Sequence, residues 1–140
     1  MEQRQKFNYK LLTFEKAVKG FEVSLNIDTL SFTEDVTDAI KNGRIQKFEY
    51  CTELTWKTIK NFLFYFHNID AKSPRESIKE FFLIGAVSEP DYEVLISILD
   101  DRNKLSHIYK EEYFGVIHDK LKYYHEVMQR VLIVLKKGID

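Results

Sequence analysis

Residues 43–67 read GRIQKFEYCTELTWKTIKNFLFYFH, and the side chains of one face recur every three or four positions. That face comprises Ile45, Phe48, Thr52, Thr55, Ile59, Phe62 and Phe66. This spacing is the period of an amphipathic α-helix, whereas a half-buried strand alternates at every second residue. The stretch therefore predicts a long helix and favours an all-α fold.

The same helix extends towards the N-terminus. Ser31 and Glu34 have the spacing of a capping box, so we predict a single helix over residues 32–67. Asn42 and Gly43 interrupt the pattern, and a turn between two helices is the alternative. We favour one continuous helix in which the pair is tolerated.

Helices are also predicted on both sides of this segment. Periodic apolar residues indicate helices over about 6–25 and 111–136, and Ser73-Pro74 begins a short one that ends near Gly85. Another helix opens at Ser88 to Asp91. With short connections these elements predict an up-and-down antiparallel four-helix bundle with an extra short helix, as a single domain over residues 1–140.

Composition limits the function classes. The net charge is −1, which argues against a broad electrostatic grip on nucleic acid. Cys51 is the only cysteine, the charged N-terminus lacks the apolar stretch of a signal peptide, and the longest apolar runs are too short to span a membrane. We therefore expect a cytoplasmic protein without a membrane partner.

Several common chemistries lack their residues. The glycines are scattered singly, so no phosphate-binding loop is present. His118 and His125 are seven residues apart, which is too far for one metal ion on a regular helix. Cys51 lies among core-type residues and is expected to be an inert buried thiol. The sequence predicts neither a metal site nor a cofactor.

The run DDRNKLSHIYKEE, residues 100–112, contains Arg102, His107 and Tyr109. On an ideal helix Arg102 and His107 would lie about 140° apart, so the helix must end or bend between them if they share a cleft. An arginine holds phosphate oxygens and a histidine moves protons near neutral pH, which together suit metal-free RNA cleavage. The residues alone favour a different interpretation, a helix end whose charges are paired and in which His107 and Tyr109 belong to the core.

Three blocks of this sequence resemble a known family. DDRNKLSHIY resembles the Arg–polar–His motif of the HEPN superfamily. GRIQKFEYCTELTWKTIKNFL and SPRESIKEFFLIGAV are similar to the nucleotidyltransferase substrate-binding proteins, so the resemblance covers residues 43–109. Three blocks in the same order are much more specific than the motif by itself.

This resemblance implies a partner and an assembly. Members of the family are helical bundles that form homodimers and pair with a separate small nucleotidyltransferase, which carries catalytic Gly-Ser and Asp-x-Asp elements. Neither element occurs in this sequence. The chain is therefore expected to be the other component, a homodimer within a hetero-oligomer.

Two functions follow from the resemblance. In the first, the chain is a non-catalytic subunit that binds its partner's substrate through Arg102, Asn103, His107 and Tyr109. In the alternative, it is a metal-independent ribonuclease toxin acting on RNA through Arg102 and His107, and the nucleotidyltransferase silences it by modifying Tyr109. We rank the binding subunit first; a homodimeric scaffold without a ligand is the third hypothesis.

Overall fold

The computed structural model describes residues 2–106 and 110–138, and five helices make up most of these ranges. They are α1 (Gln3–Leu25), α2 (Glu34–His67), α3 (Pro74–Leu83), α4 (Glu89–Leu105) and α5 (Lys110–Lys137). The described ranges contain no strand. The all-α prediction is confirmed.

The start of α2 differs from the prediction. Thr33, not Ser31, is the N-cap, because its hydroxyl accepts a hydrogen bond from the Val36 N–H at 3.3 Å. Ser31 lies in a turn that is closed by a hydrogen bond from the Phe32 N–H to the Thr29 carbonyl. The predicted capping box at Ser31 was therefore wrong by two residues.

The helix α2 continues without a break through Asn42 and Gly43, as predicted. The Asn42 amide donates to the Asp38 carbonyl at 2.9 Å, so this polar side chain is satisfied by the helix itself. A Cβ at Gly43 would meet nothing within 4 Å, so this glycine is not required by a close contact.

Aromatic contacts fix the relative direction of α1 and α2. Phe7, near the start of α1, packs on Phe62 near the end of α2, with ring centroids 5.9 Å apart. Phe21, near the end of α1, packs on Phe48 at 6.5 Å. The two helices therefore run antiparallel along the core.

Ion pairs give the direction of α4 against α5 in the same way. Near its start α4 contributes Asp91, which binds Arg130 towards the end of α5 at 2.8 Å. Near its end α4 contributes Asp101, which binds Lys120 closer to the start of α5 at 3.1 Å. These helices are also antiparallel.

Contacts between α1 and α5 complete the arrangement. Glu15 pairs with Lys136, and Glu22 accepts a hydrogen bond from Gln129. The four long helices therefore alternate in direction along the chain. The short α3 packs against α2 and α4, so it is the extra helix of an up-and-down bundle.

The ends of α3 follow from local sequence. The Ser73 hydroxyl accepts from the Glu76 N–H at 3.1 Å, and Pro74 occupies the first turn, where its missing N–H leaves no bond unmade. Gly85 follows the helix with a φ of 82°, a left-handed conformation that suits glycine. Both features were predicted.

The end of α4 matters most for the site. The helix ends at Leu105, and Ser106 follows it as the C-cap. A helix end between Arg102 and His107 was predicted, and the structure confirms it. His107 and Tyr109 themselves lie outside the described residues.

The core is rich in phenylalanine, and Cys51 is buried within it. Burial raises the pKa of the Cys51 thiol to about 12, although nearby Lys47 opposes this rise. The thiol is therefore protonated near neutral pH, as expected of an inert core cysteine. Among the described helices, none has the length and apolarity needed to cross a membrane.

Candidate functional site

Arg102 lies in the last turn of α4, and its side chain is held against α2. Its Nη1 atom is 3.2 Å from the Glu49 carboxylate, and the two side chains are only 27% and 23% exposed. The same nitrogen donates a hydrogen bond to the Ser106 hydroxyl just past the helix end. The guanidinium is therefore fixed from one side by a partly buried carboxylate.

One hydrogen-bond donor of Arg102 has no acceptor among the described residues. The Nε atom is buried and has no hydrogen-bond partner among the residues that the structure describes. A buried donor without a partner costs about 1–3 kcal/mol. Arg102 thus has hydrogen-bonding capacity beyond its contacts with Glu49 and Ser106.

A cavity of about 310 Å³ lies beside Arg102, between α2, α3 and α4. We refer to it as the α2–α3–α4 cavity. Its lining residues are Thr52, Glu53, Trp56, Ser73, Pro74, Arg75, Leu99, Arg102 and Asn103. Its volume is at the lower end of the range of about 300–1,000 Å³ that small-molecule sites occupy.

A second arginine reaches the cavity from α3. Arg75 is exposed, and its Nη1 donates to the Asp100 carboxylate at 2.9 Å. This hydrogen bond, with the nearby negative charge, raises the pKa of Arg75 further above its usual range. The first turn of α3 also lines the cavity with Ser73 and Pro74, so the positive end of the helix dipole lies there.

An aromatic ring completes the cavity wall. Trp56 of α2 is partly buried and is the only tryptophan of the chain. The Lys57 ammonium lies 5.7 Å from the centre of its ring and also pairs with Glu53 at 3.7 Å. Glu53, which also lines the cavity, therefore has a cation partner one turn away.

The residue next to Arg102 has a different environment. Asp101 is 3% exposed, accepts a hydrogen bond from the Tyr124 hydroxyl at 2.5 Å and pairs with Lys120 at 3.1 Å. Burial, together with the Asp101 hydrogen bond, raises the pKa of Tyr124, so this hydroxyl remains a donor. We refer to Asp101, Lys120 and Tyr124 as the α4–α5 seam.

The charges around Arg102 are paired, but mostly with residues of other helices and not with one another. Asp101 lies 3.8 Å from Lys104, a long contact, and its close partners are on α5. Asp100 pairs with Arg75. The partner of Arg102 is Glu49, which is 53 positions away in the sequence.

The two histidines of α5 belong to other parts of the bundle. His118 is half-buried, with Nε2 3.4 Å from Arg44 Nη1, and His125 is buried against the Val18 carbonyl. Within the described ranges, no three histidine, cysteine, aspartate or glutamate side chains converge as a metal site would require.

Comparison with known proteins identifies the family of this chain. A family model described as "Nucleotidyltransferase substrate binding protein like" matches residues 9–137. The chain belongs to this family. No curated protein sequence matches it significantly.

A solved structure supports the fold of this family member. The crystal structure of a protein from Thermus thermophilus superposes with a TM-score of 0.76 at 24% sequence identity. The match covers 87% of this chain and 98% of that one. At this identity the likeness concerns the fold alone.

In this family member the predicted site residues divide into two groups. Arg102 and Asn103 both line the α2–α3–α4 cavity. His107 and Tyr109 are outside the described residues, so their predicted roles stay predictions. The helix end that would allow them to approach Arg102 is present at Leu105.

Three residues beside Arg102 were not predicted as site residues from the sequence. They are Glu49, its ion-pair partner, and Trp56 and Arg75, which line the cavity. The only signal for them was indirect, since Glu49, Trp56 and Arg75 all lie within the two other blocks that resemble the family. Their charges and rings alone gave no reason to group them.

Proposed function

We propose that this chain is the non-catalytic, substrate-binding subunit of a two-component nucleotidyltransferase. The observation that carries the proposal is the α2–α3–α4 cavity, where Arg75 and Arg102 from two helices line one space. Arginine forms planar, paired hydrogen bonds with phosphate oxygens, the group that every nucleotide substrate carries. Membership of the substrate-binding family gives this chemistry its context.

The catalytic step is assigned to a partner protein. The sequence contains neither a Gly-Ser pair nor an Asp-x-Asp motif, the elements that a small nucleotidyltransferase uses. The chain would then form one HEPN-like helical domain over residues 1–140. It would assemble as a homodimer and bind a separate small nucleotidyltransferase.

Association with that partner is the first test. The purified chain is mixed at micromolar concentration with a small nucleotidyltransferase of the same genome, chosen for its Gly-Ser and Asp-x-Asp elements, and the mass is measured by size-exclusion chromatography with light scattering. We expect a single complex whose mass corresponds to a whole number of copies of each chain. A nucleotidyltransferase from an unrelated two-component pair serves as the control, and separate elution of the cognate proteins would refute the proposal.

A ribonuclease toxin is the second candidate, and the end of α4 is the observation that favours it. Because α4 ends at Leu105, the chain leaves the helix between Arg102 and His107, as a shared catalytic cleft requires. In this function His107 takes the proton of the 2′-hydroxyl or gives a proton to the leaving oxygen, and Arg102 stabilises the negative charge that develops on the phosphorane oxygens.

Growth of cells that express the chain without its partner tests this second function. We expect wild type to slow growth, and Arg102→Ala or His107→Ala to restore it. Asp100→Ala is the matched control, since it removes an exposed charge two residues from Arg102. Equal growth of wild type and both variants would exclude a toxin.

The toxin function also predicts a modification. Incubation with the partner and ATP should transfer one adenylyl group to the Tyr109 hydroxyl with release of pyrophosphate, and Tyr109→Phe should abolish the gain in mass. Mass spectrometry of the intact protein measures both. An unchanged mass of the wild-type chain would remove Tyr109 from the proposal.

A further inference from the structure

We propose that the α2–α3–α4 cavity binds a single nucleotide, with its base against Trp56 and its phosphate against Arg75 and Arg102. This inference rests on the proposed substrate-binding function and names the ligand class and the residues. It moves the centre of the predicted site from residues 102–109 to the open space between α2, α3 and α4.

The phosphate position follows from how the two arginines are held. Arg102 contacts Glu49 and Ser106 through Nη1, and Arg75 contacts Asp100 through Nη1. A guanidinium has five N–H donors, so each of them keeps donors that these bonds do not use. The carboxylates orient the two guanidinium groups in advance, which reduces the entropy that a bound phosphate must overcome.

The first turn of α3 contributes to the same position. The N-cap Ser73 and Pro74 line the cavity, so the positive end of this ten-residue helix borders the same space as the arginines. Helix N-termini favour anions through the dipole and their free N–H groups. Two cations and the positive end of one helix therefore line the same cavity.

The base position follows from Trp56. Its indole is part of the cavity wall on α2, and stacking of a base on an aromatic ring is tolerant of base identity. Glu53, one turn earlier on the same helix, adds an acceptor for a ribose hydroxyl or a base amino group.

Size and charge favour one nucleotide over a long RNA. The cavity measures about 310 Å³. Its arginines are partly balanced by Glu49, Asp100 and Glu53, so the region lacks the excess of positive charge that grips a polymer of phosphates.

Two other concave regions fit this ligand less well. The cavity of about 430 Å³ near Phe114 is lined by Asp38 and Glu111 and, among the described residues, by no cation, so it repels phosphate. A groove between α1 and α2 contains Lys16 and Lys47, which offer point charges without the planar fork of arginine. The second region supplies a useful control.

The experiment uses the fluorescence of the full chain without its partner. Because Trp56 is the only tryptophan, its emission reports directly on this cavity. We expect a saturable decrease when at least one of AMP, GMP, CMP and UMP is added, and binding at least tenfold weaker for the matching nucleoside, which lacks the phosphate. No change with any of the four, or equal binding of the nucleoside, would overturn the proposal.

Substitutions locate the phosphate. Arg75→Gln should weaken nucleotide binding about tenfold or more, since it removes charge-assisted hydrogen bonds. Lys47→Gln in the α1–α2 groove and Arg130→Gln, another exposed arginine paired with an aspartate, are the matched controls and should change the affinity less than twofold. A loss in either control as large as that in Arg75→Gln would place the ligand elsewhere.

The cavity assignment and the subunit function can be refuted independently of each other. Absence of nucleotide binding by the isolated chain contradicts the cavity assignment, whatever the association measurement gives. Failure to associate with the nucleotidyltransferase contradicts the subunit function, even if the nucleotide quenches Trp56.

Discussion

Asp101 and Arg102 are consecutive residues of α4, yet they belong to two different regions. Asp101 is buried in the α4–α5 seam, where Tyr124 and Lys120 satisfy its carboxylate. Arg102 is directed to the other side of α4 and lines the α2–α3–α4 cavity, with an Nε that lacks a partner among the described residues.

Their different environments indicate that Asp101 stabilises the fold and that Arg102 is available to a ligand. The seam carboxylate has its partners in place and is closed to solvent, so it contributes to stability. The arginine of the cavity is partly open and keeps unused donors, so it is suited to a ligand. Two charges that are adjacent in the sequence can therefore have different roles, because successive residues of a helix point about 100° apart.

The largest effect on stability is expected from Asp101→Ala. It leaves the Tyr124 hydroxyl without its buried acceptor and removes the charge that pairs with Lys120. We expect the free energy of unfolding to fall by about 2–3 kcal/mol. Urea denaturation followed by circular dichroism measures it.

Asp100→Ala is the matched control, because its exposed pair with Arg75 should be worth less than about 1 kcal/mol. Equal losses from the two aspartates would show that burial does not distinguish the seam from the cavity.

A smaller loss is expected from Tyr124→Phe. The ring stays in place, stacked on Phe48 at 5.6 Å, and only the hydrogen bond to Asp101 is removed. Because Lys120 still pairs with the carboxylate, we expect about 1–2 kcal/mol from the same urea measurement. A cost as small as that of a surface substitution would mean that the seam is not held by this hydroxyl.

Arg102→Gln should cost the fold less still. Its pair with Glu49 is partly exposed, so we expect a loss of less than about 1 kcal/mol in unfolding free energy. Nucleotide binding, measured by Trp56 fluorescence, should weaken about tenfold or more. A variant that unfolds readily and binds nucleotide normally would reverse the roles of the two regions.

The smallest effect should come from His118, which belongs to neither region. Burial, then Arg44 and Lys41, lowers the pKa of His118 below its usual value near 6.5. Below that value the unfolded chain binds a proton that the folded chain does not, so stability falls as the pH falls and is regained above it. His118→Gln should reduce this dependence between pH 7 and pH 5 in thermal unfolding, and an unchanged slope would contradict the assignment.

Helix periodicity was enough to predict most of the fold. The apolar pattern of α2 continues on both sides of Asn42 and Gly43, and the helix is continuous there although an Asn-Gly pair favours a turn. The capping residue was misplaced because Ser31 and Thr33 both have side chains that can cap. A turn from Thr29 to Phe32 decides between them.

Less of the candidate site than of the fold could be predicted from the sequence. Arg102 was found because a motif marks it, and the end of α4 followed from the spacing to His107. Glu49, Trp56 and Arg75 come from two other helices, and only their packing against α4 brings them to Arg102. Local sequence patterns do not indicate which distant segments will pack together.

Steady-state kinetics of the assembled complex test the central claim most directly. The small nucleotidyltransferase is assayed with the wild-type chain and with Arg102→Gln, while the nucleotide concentration is varied. If this chain supplies substrate binding through its cavity, KM for the nucleotide rises about tenfold or more in the variant and kcat changes little. Equal KM values for the two complexes would contradict the account.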